Sequence, residues 1–556
     1  NIMECWFGME SLLKRGIACF LRIKFPARRL QIGVVLGVWL LSILACSQGY
    51  VSDYDLTATA LFPAGGSGSG SAGLEITALP TSAPGGGGEN NPIAVSTPNQ
   101  AQFTPSQPIF TPLPTRSTPL PPILYYTQAG DTLPAVAVRF GVLPEEITSP
   151  EPVPQSGLIN AGKLLIIPNR LDQTGPADLL LPDSEIVFSP SALDFDLNGT
   201  IRQAGGYLST YREYLADGWK SGGEVIYKVA IENSINPRLL LALLEYQAHW
   251  VYGQPANLAE MDYPMGMVNL EKKGLYKQLS WAVQQLSIGY YGWRNGILTE
   301  VQFSDGSRVR LAPGLNAGSV ALQYLFSRLY PQILWNGVLG GEESFVKLYE
   351  KMYGNPWMRA QAVEPLLPVN LTQPELILPF LPGRVWSFTG GPHSAWGPDG
   401  AWAALDFAPS SVETGCNISD DWATAVASGL VVRTDTGVVV LDLDGDGYEQ
   451  TGWVILYLHV ASKNRVGVGT WVQQGDLIGH PSCEGGTSTG THIHIARKYN
   501  GEWVLADGPL PFVLDGWRAI AGKNPYEGSL VKDGRVVNAC TCGSFETRIS
   551  RLSSGN

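Results

Sequence analysis

Basic residues are scarce beyond the first thirty positions. The 556-residue chain has 37 Lys and Arg against 49 Asp and Glu, a net charge of −12, and no basic run follows the N-terminal segment. Neutralising phosphates takes a Lys/Arg excess on some surface, so nucleic acid is excluded as a partner. Charged residues of either sign reach only 15%, hydrophobic ones 44%, and the 64 Gly and 40 Pro gather in a few stretches. That is the pattern of folded modules joined by linkers, in a chain too long for one hydrophobic core. Histidine is rarer still: there are six, so their positions carry information.

Long apolar runs are also missing. Ile32 to Ala45 falls short of the ~20 residues that a spanning helix needs. It follows a positive stretch (Lys14, Arg15, Arg22, Lys24, Arg28, Arg29) and ends at Cys46, so residues 1–46 read as an export segment. Ile43-Leu44-Ala45-Cys46 resembles a bacterial lipobox, which implies a lipid on Cys46 and an extracytoplasmic, membrane-anchored protein. Residues 47–121 are Gly, Ser, Pro and Thr rich and read as a tether that buries too little surface to fold. Of seven cysteines, Cys416, Cys483, Cys540 and Cys542 remain beyond Cys46, in an oxidising space, with three pairings open. No second CxxC or His pair accompanies Cys540 and Cys542, which excludes a zinc finger.

Residues 122–170 suggest a strand from Tyr125 to Gln128, a helix capped by Thr132 with Leu133, Val136, Ala137 and Phe140 on one face, and a closing strand from Lys163 to Ile167. With YTQAGDTL at its start and INAGKLLIIP at its end, the segment resembles a LysM domain, which implies binding of peptidoglycan glycan. Residues 176–370 are helix-rich. Glu245, on a Pro-started apolar helix, faintly resembles the acid of lysozyme-like transglycosylases, but the acid's expected place is nearer Gln247, and an amide has no proton to give.

From about Arg384 the pattern changes to short strands between Gly-rich turns, and five histidines fall here: His393, His459, His480, His492 and His494. Thr491-His492-Ile493-His494 puts two imidazoles on one strand face, because side chains alternate with period two. His393 in GGPH, Asp406 in ALDFA and His459 in LYLHV add two imidazoles and a carboxylate, donors suited to a catalytic zinc with one position open. These motifs, with GGTSTGTHIH, resemble the lysostaphin and LytM type of zinc endopeptidase, most nearly its beta-lytic branch. The wider family's His four residues before the Asp is Trp402 here; the beta-lytic pattern instead uses a GG-x-H turn upstream, which Gly390-Gly391-Pro392-His393 supplies.

The resemblance implies that His393, Asp406 and His494 bind Zn2+, that His459 and His492 are catalytic, and that His480 is a loop residue. Cys416 and Cys483, both within the stretch it covers, are natural disulfide partners. Asp442, Asp444 and Asp446 open like a calcium loop but lack its closing Glu, with Trp453 in that place, and read better as a hairpin tip. The expected fold is multidomain: a small α+β LysM module, a mostly α-helical middle domain, an all-β antiparallel peptidase domain over 380–525, and a tail over 526–556. The expected function is cleavage of peptidoglycan stem or cross-bridge peptides, with glycan held by the LysM module. The alternative is a catalytically inactive, LytM-like, wall-binding lipoprotein that activates an amidase.

Overall fold

The structure, a computed structural model, describes residues 111–115, 120–410 and 415–551. The export segment, Cys46 and nearly all of the tether lie outside the described residues. Among the described residues no helix is long and apolar enough to cross a membrane.

Strand β1 (Ile123–Tyr126) pairs antiparallel with β2 (Leu164–Ile167) beside helix α1 (Leu133–Phe140). The Thr132 hydroxyl accepts from Ala135 N at 3.3 Å, and Gly141 closes the helix at a φ of 70°. Leu133, Val136, Ala137 and Phe140 are buried as their spacing requires, while β1 starts and ends two residues before the expected strand. The middle region holds helices α2 (Leu197–Ala204), α3 (Gly222–Asn233), α4 (Pro237–Ala248), α5 (Leu258–Asp262), α6 (Leu275–Arg294), α7 (Ala317–Leu329), α8 (Gln332–Gly340), α9 (Phe345–Tyr353) and α10 (Pro356–Val363). Two small hairpins interrupt it: β3 (Arg212–Leu215) with β4 (Gly218–Ser221), and β5 (Glu300–Gln302) with β6 (Arg308–Arg310).

The C-terminal region is antiparallel sheet. Its strands are β7 (Val385–His393), β8 (Ala404–Pro409), β9 (Ala423–Thr424), β10 (Gly429–Asp435), β11 (Val438–Asp442), β12 (Trp453–Leu458), β13 (Trp471–Val472), β14 (Leu477–Gly479), β15 (Ile493–Tyr499), β16 (Glu502–Trp503), β17 (Val513–Leu514), β18 (Trp517–Ala521), β19 (Gly528–Lys532), β20 (Arg535–Asn538) and β21 (Arg548–Ser550). The main sheet runs β13-β10-β11-β12-β15-β8-β7-β21, with β16 on β15. The expected tail over 526–556 is therefore not a tail as far as residue 551. β19 and β20 complete a four-stranded sheet with β17 and β18, and β21 pairs with β7. Leu530, Val537 and Ile549 enter the core from strands too short to show an apolar period.

Both faces of the main sheet are covered. Val439, Leu441, Ile455, Tyr457 and Ile495 pack toward the small sheet, with Trp517 and Leu530. Val438, Val440, Val454, Leu456 and Ala496 point the other way and share one continuous core with helices of the middle region, including Leu279, Leu286 and Tyr290. The module at 122–170 docks on that region as well: Arg139, buried and 2.6 Å from Asp131, donates to Trp293 O at 2.9 Å. The expectation of modules strung on linkers thus fails among the described residues from 120 onward. The reason is that the strands bury apolar side chains on both faces.

Buried charge lies in the same layers. Glu449 accepts from Arg433 Nε at 2.5 Å and Lys498 Nζ at 2.8 Å. Burial alone would raise the Glu449 pKa, but the Lys498 and Arg433 charges outweigh it and hold the carboxyl at about 2. A pKa depressed on folding stabilises the protein above the ordinary value of 4.5, and that stability drains away as pH falls from 4.5 toward 2. Glu449→Gln is expected to cost about 3–5 kcal/mol at neutral pH, by leaving two buried cations short of a partner. It should also flatten the acid limb of a thermal-unfolding series taken between neutral pH and pH ~2.

Candidate metal centre

Four strands of the main sheet bring the expected residues together. His494 and Asp406 are direct cross-strand partners on β15 and β8, and Leu458, just before His459, faces His494 from β12. His393 ends β7, whose register slips between Phe388 and Gly390 and again between Gly390 and His393. The GG-x-H segment is thus a bulged strand end where a turn was expected, and the bulges aim His393 at its neighbours. Both glycines are required by close approach: a Cβ on Gly390 would lie 2.4 Å from Asp406 Oδ2, and one on Gly391 2.4 Å from Glu527 O.

One oxygen and two nitrogens converge. Asp406 Oδ1 is 3.4 Å from His393 Nε2 and 3.3 Å from His494 Nδ1, and those nitrogens are 3.0 Å apart. Their other nitrogens are committed: His393 Nδ1–H donates to Gly391 O at 2.8 Å and His494 Nε2–H to Ala395 O at 3.1 Å. A carbonyl accepts only an N–H, so in the neutral imidazoles the inward nitrogens are lone pairs. Buried Asp406 Oδ1 itself makes no hydrogen bond among the described residues. Three acceptors this close repel unless a cation lies among them, and two imidazole nitrogens with one carboxylate oxygen are the donors of a zinc site with an open fourth position. The residues present fit such an ion.

Charges within the cluster shift its members. Burial alone would raise the Asp406 pKa, yet His393 and His492 hold it well below the usual carboxylate range. Burial pulls His393 down, and the Asp406 carboxylate more than reverses this. Burial lowers His494.

His459 and His492 stand beside this trio with ring centroids 4.4 Å apart. His492 Nε2 is 3.7 Å from Asp406 Oδ1. His459 Nδ1–H donates to Glu484 O at 3.0 Å and His492 Nδ1–H to Gly490 O at 2.8 Å, so in the neutral ring of each Nε2 is the lone-pair nitrogen. Burial and then the neighbouring His492 and His494 push His459 down to about 3, which keeps it neutral. The His492 side chain is 16% exposed against 2–8% for His393, Asp406 and His494, so the mouth opens on its side. A disulfide joins Cys416 to Cys483, and Asn417 N donates to Thr491 Oγ1 at 2.9 Å, tying the loops around that mouth. A second bridge joins Cys540 to Cys542.

Other expected residues lie apart. His480 lies in the loop after β14, as expected, and is buried there against Trp422 with ring centroids 3.9 Å apart, its Nδ1 on Asp421 O. Glu245 Oε2 accepts from Val251 N and Tyr252 N at 2.9 and 3.0 Å, so this oxygen straps a loop. Asp442, Asp444 and Asp446 cluster in the connection from β11 to β12, a hairpin as expected, close enough together to hold a cation. Sequence reading missed the carbonyls of Gly391, Ala395, Glu484 and Gly490, which no side-chain motif can signal. It also missed Tyr526, whose ring stacks on His393 at 4.1 Å from within the supposed tail.

Residues 179–368 match the family model described as LasA, N-terminal domain. Protease LasA of Pseudomonas aeruginosa (strain PAO1) is 27% identical over 354 residues, 59% of this chain and 76% of the relative. The protein of the same name from strain UCBPP-PA14 is 26% identical over 355 residues, with the same coverage. Over these residues the chain is similar to Protease LasA. These matches support a peptidase. Among solved structures, the M23 metalloprotease pseudoalterin from the deep sea is 24% identical, covering 30% of this chain and 96% of its own, at a TM-score of 0.25. The catalytic domain of lysostaphin from Staphylococcus simulans is also 24% identical, with 22% and 87% covered and a TM-score of 0.16.

Gly390→Ala tests the site without replacing a donor residue. The added methyl must displace the Asp406 carboxylate, so zinc affinity measured by titration is expected to fall at least ~10-fold with far-UV circular dichroism unchanged. Equal affinity would contradict the geometry.

Proposed function

We propose that the chain is an extracytoplasmic, zinc-dependent endopeptidase that cuts peptide stems or cross-bridges of peptidoglycan. The observation that carries the reading is the convergence of His393 Nε2, His494 Nδ1 and Asp406 Oδ1, with the outer nitrogen of each histidine held by a backbone oxygen. The similarity to Protease LasA supports the peptidase class, and the LysM resemblance of residues 122–170 supports peptidoglycan glycan as the docking partner. In this reading Cys46 carries lipid and the tether gives reach from the membrane.

His393, Asp406 and His494 would hold the ion, which when bound supplies Lewis-acid polarisation of a peptide carbonyl and acidifies water to a pKa near ~7. The remaining work falls to the chain. In their neutral forms His459 and His492 offer a lone pair at Nε2, because Glu484 O and Gly490 O take the Nδ1 proton of each. One of the two takes the proton of the attacking water at Nε2 and returns it to the leaving amine. The low pKa of His459 keeps it in the accepting form at neutral pH. Burial of His393, Asp406 and His494 excludes bulk water from the donors, and the more exposed His492 marks the substrate's side.

The test is digestion of purified peptidoglycan by the whole chain, scoring new amino groups and new reducing ends separately. Amino groups alone are expected, falling by more than ~100-fold with His494→Ala or after chelation. Wall binding without release and without zinc would shift the reading to an amidase-activating module. Reducing ends would shift it to glycan cleavage.

A further inference from the structure

The helices that share the sheet's core also reach the supports of His494 from two sides. Ala395, whose oxygen accepts the His494 Nε2–H, lies in the 394–403 loop between β7 and β8. The loop closes on itself through Ala395 N to Ala401 O at 2.9 Å and Gly400 N to Ser394 Oγ at 3.0 Å. Outward it belongs to the helical region. Ala395, Ala401 and Ala403 are buried in the shared core and Trp396 packs against it, while Gln284 of α6 donates to Asp399 Oδ2 at 2.8 Å. One helical turn and a half further on, the same helix holds β16, the partner of β15. Tyr290 donates to Glu502 Oε2 at 3.0 Å, Arg294 Nε lies 3.1 Å from Glu502 Oε1, and Trp503 N donates to the Tyr291 oxygen at 3.0 Å.

We propose that α6 is a positioning element for the metal site: it fixes the 394–403 loop against β16, so that the Ala395 oxygen holds His494 with Nδ1 turned inward. The inference rests on the zinc reading above. A ligand imidazole that donates its second N–H is locked in tautomer and ring orientation and gains basicity, and loss of such an outer partner costs ~10–100-fold in metal affinity. α6 touches none of the donors, so Trp396, Gln284 and Asp399 are positioning residues. A helix that served only to cover apolar surface would change stability when these contacts are cut and would leave metal affinity alone.

The experiment uses the full chain, stripped of metal, with zinc affinity read by competition against a chromophoric chelator and the metal-free midpoint of thermal unfolding read alongside. Trp396→Ala is expected to weaken zinc binding about 10-fold. Trp396→Phe should recover most of it, and the weakening should exceed anything explained by the metal-free midpoints. Asp399→Ala and Gln284→Ala, at a solvent-exposed hydrogen bond that the fold tolerates losing, should each weaken binding severalfold, and they carry the test if Trp396→Ala fails to fold. Wild-type zinc affinity in the Asp399 and Gln284 variants would overturn the proposal, whatever their midpoints. A wild-type chain that binds no zinc would overturn the metal reading and this inference together, whereas tight zinc in every variant would overturn the inference alone.

Discussion

Everything functional in this structure depends on an electrostatic conflict: two imidazole lone pairs and an unbonded carboxylate oxygen held within 3.4 Å of one another in a buried spot. A buried polar atom without a partner costs about 1–3 kcal/mol, and a charged one more, so the arrangement persists only because the surroundings overdetermine it. The surroundings do so with backbone. Four carbonyl oxygens, on Gly391, Ala395, Glu484 and Gly490, each take one ring N–H, and this decides which nitrogen of each histidine faces the centre.

Backbone oxygens are rigid only if the loops that bear them are, and those loops are packed into larger layers. The sheet is buried on both faces, by the four-stranded sheet on one side and by helices on the other. The C-terminal region is therefore no free-standing module. Stripping away the helices would expose Val438, Val440, Val454, Leu456 and Trp503, an apolar surface of the kind that drives association. The charges at this seam, Arg294 with Glu502 and Lys228 with Asp435, are paired across it.

Much of this was legible in the sequence. Period two placed His492 and His494 on one face, and the motif order supplied His393, Asp406 and His459. What spacing could not give was register: that His494 faces Asp406, or that β7 bulges twice to bring His393 over. The two-sided burial did have a signal, since VVVLD and WVILYL are continuous apolar runs rather than the alternation of a half-exposed strand. The last strands were lost because each is five residues or fewer, and Tyr526 was lost with them. Glu245 was set aside in the sequence because the acid's expected place is nearer Gln247; the geometry adds that its Oε2 holds two backbone N–H groups.

The most direct measurement is anomalous diffraction at the zinc edge from crystals of the full chain grown with zinc. The account predicts one strong peak in reach of His393 Nε2, His494 Nδ1 and Asp406 Oδ1, with their Nδ1, Nε2 and backbone partners unmoved. A cluster that stays free of zinc at saturating metal, with an imidazole flipped to donate to Asp406 Oδ1, would contradict it.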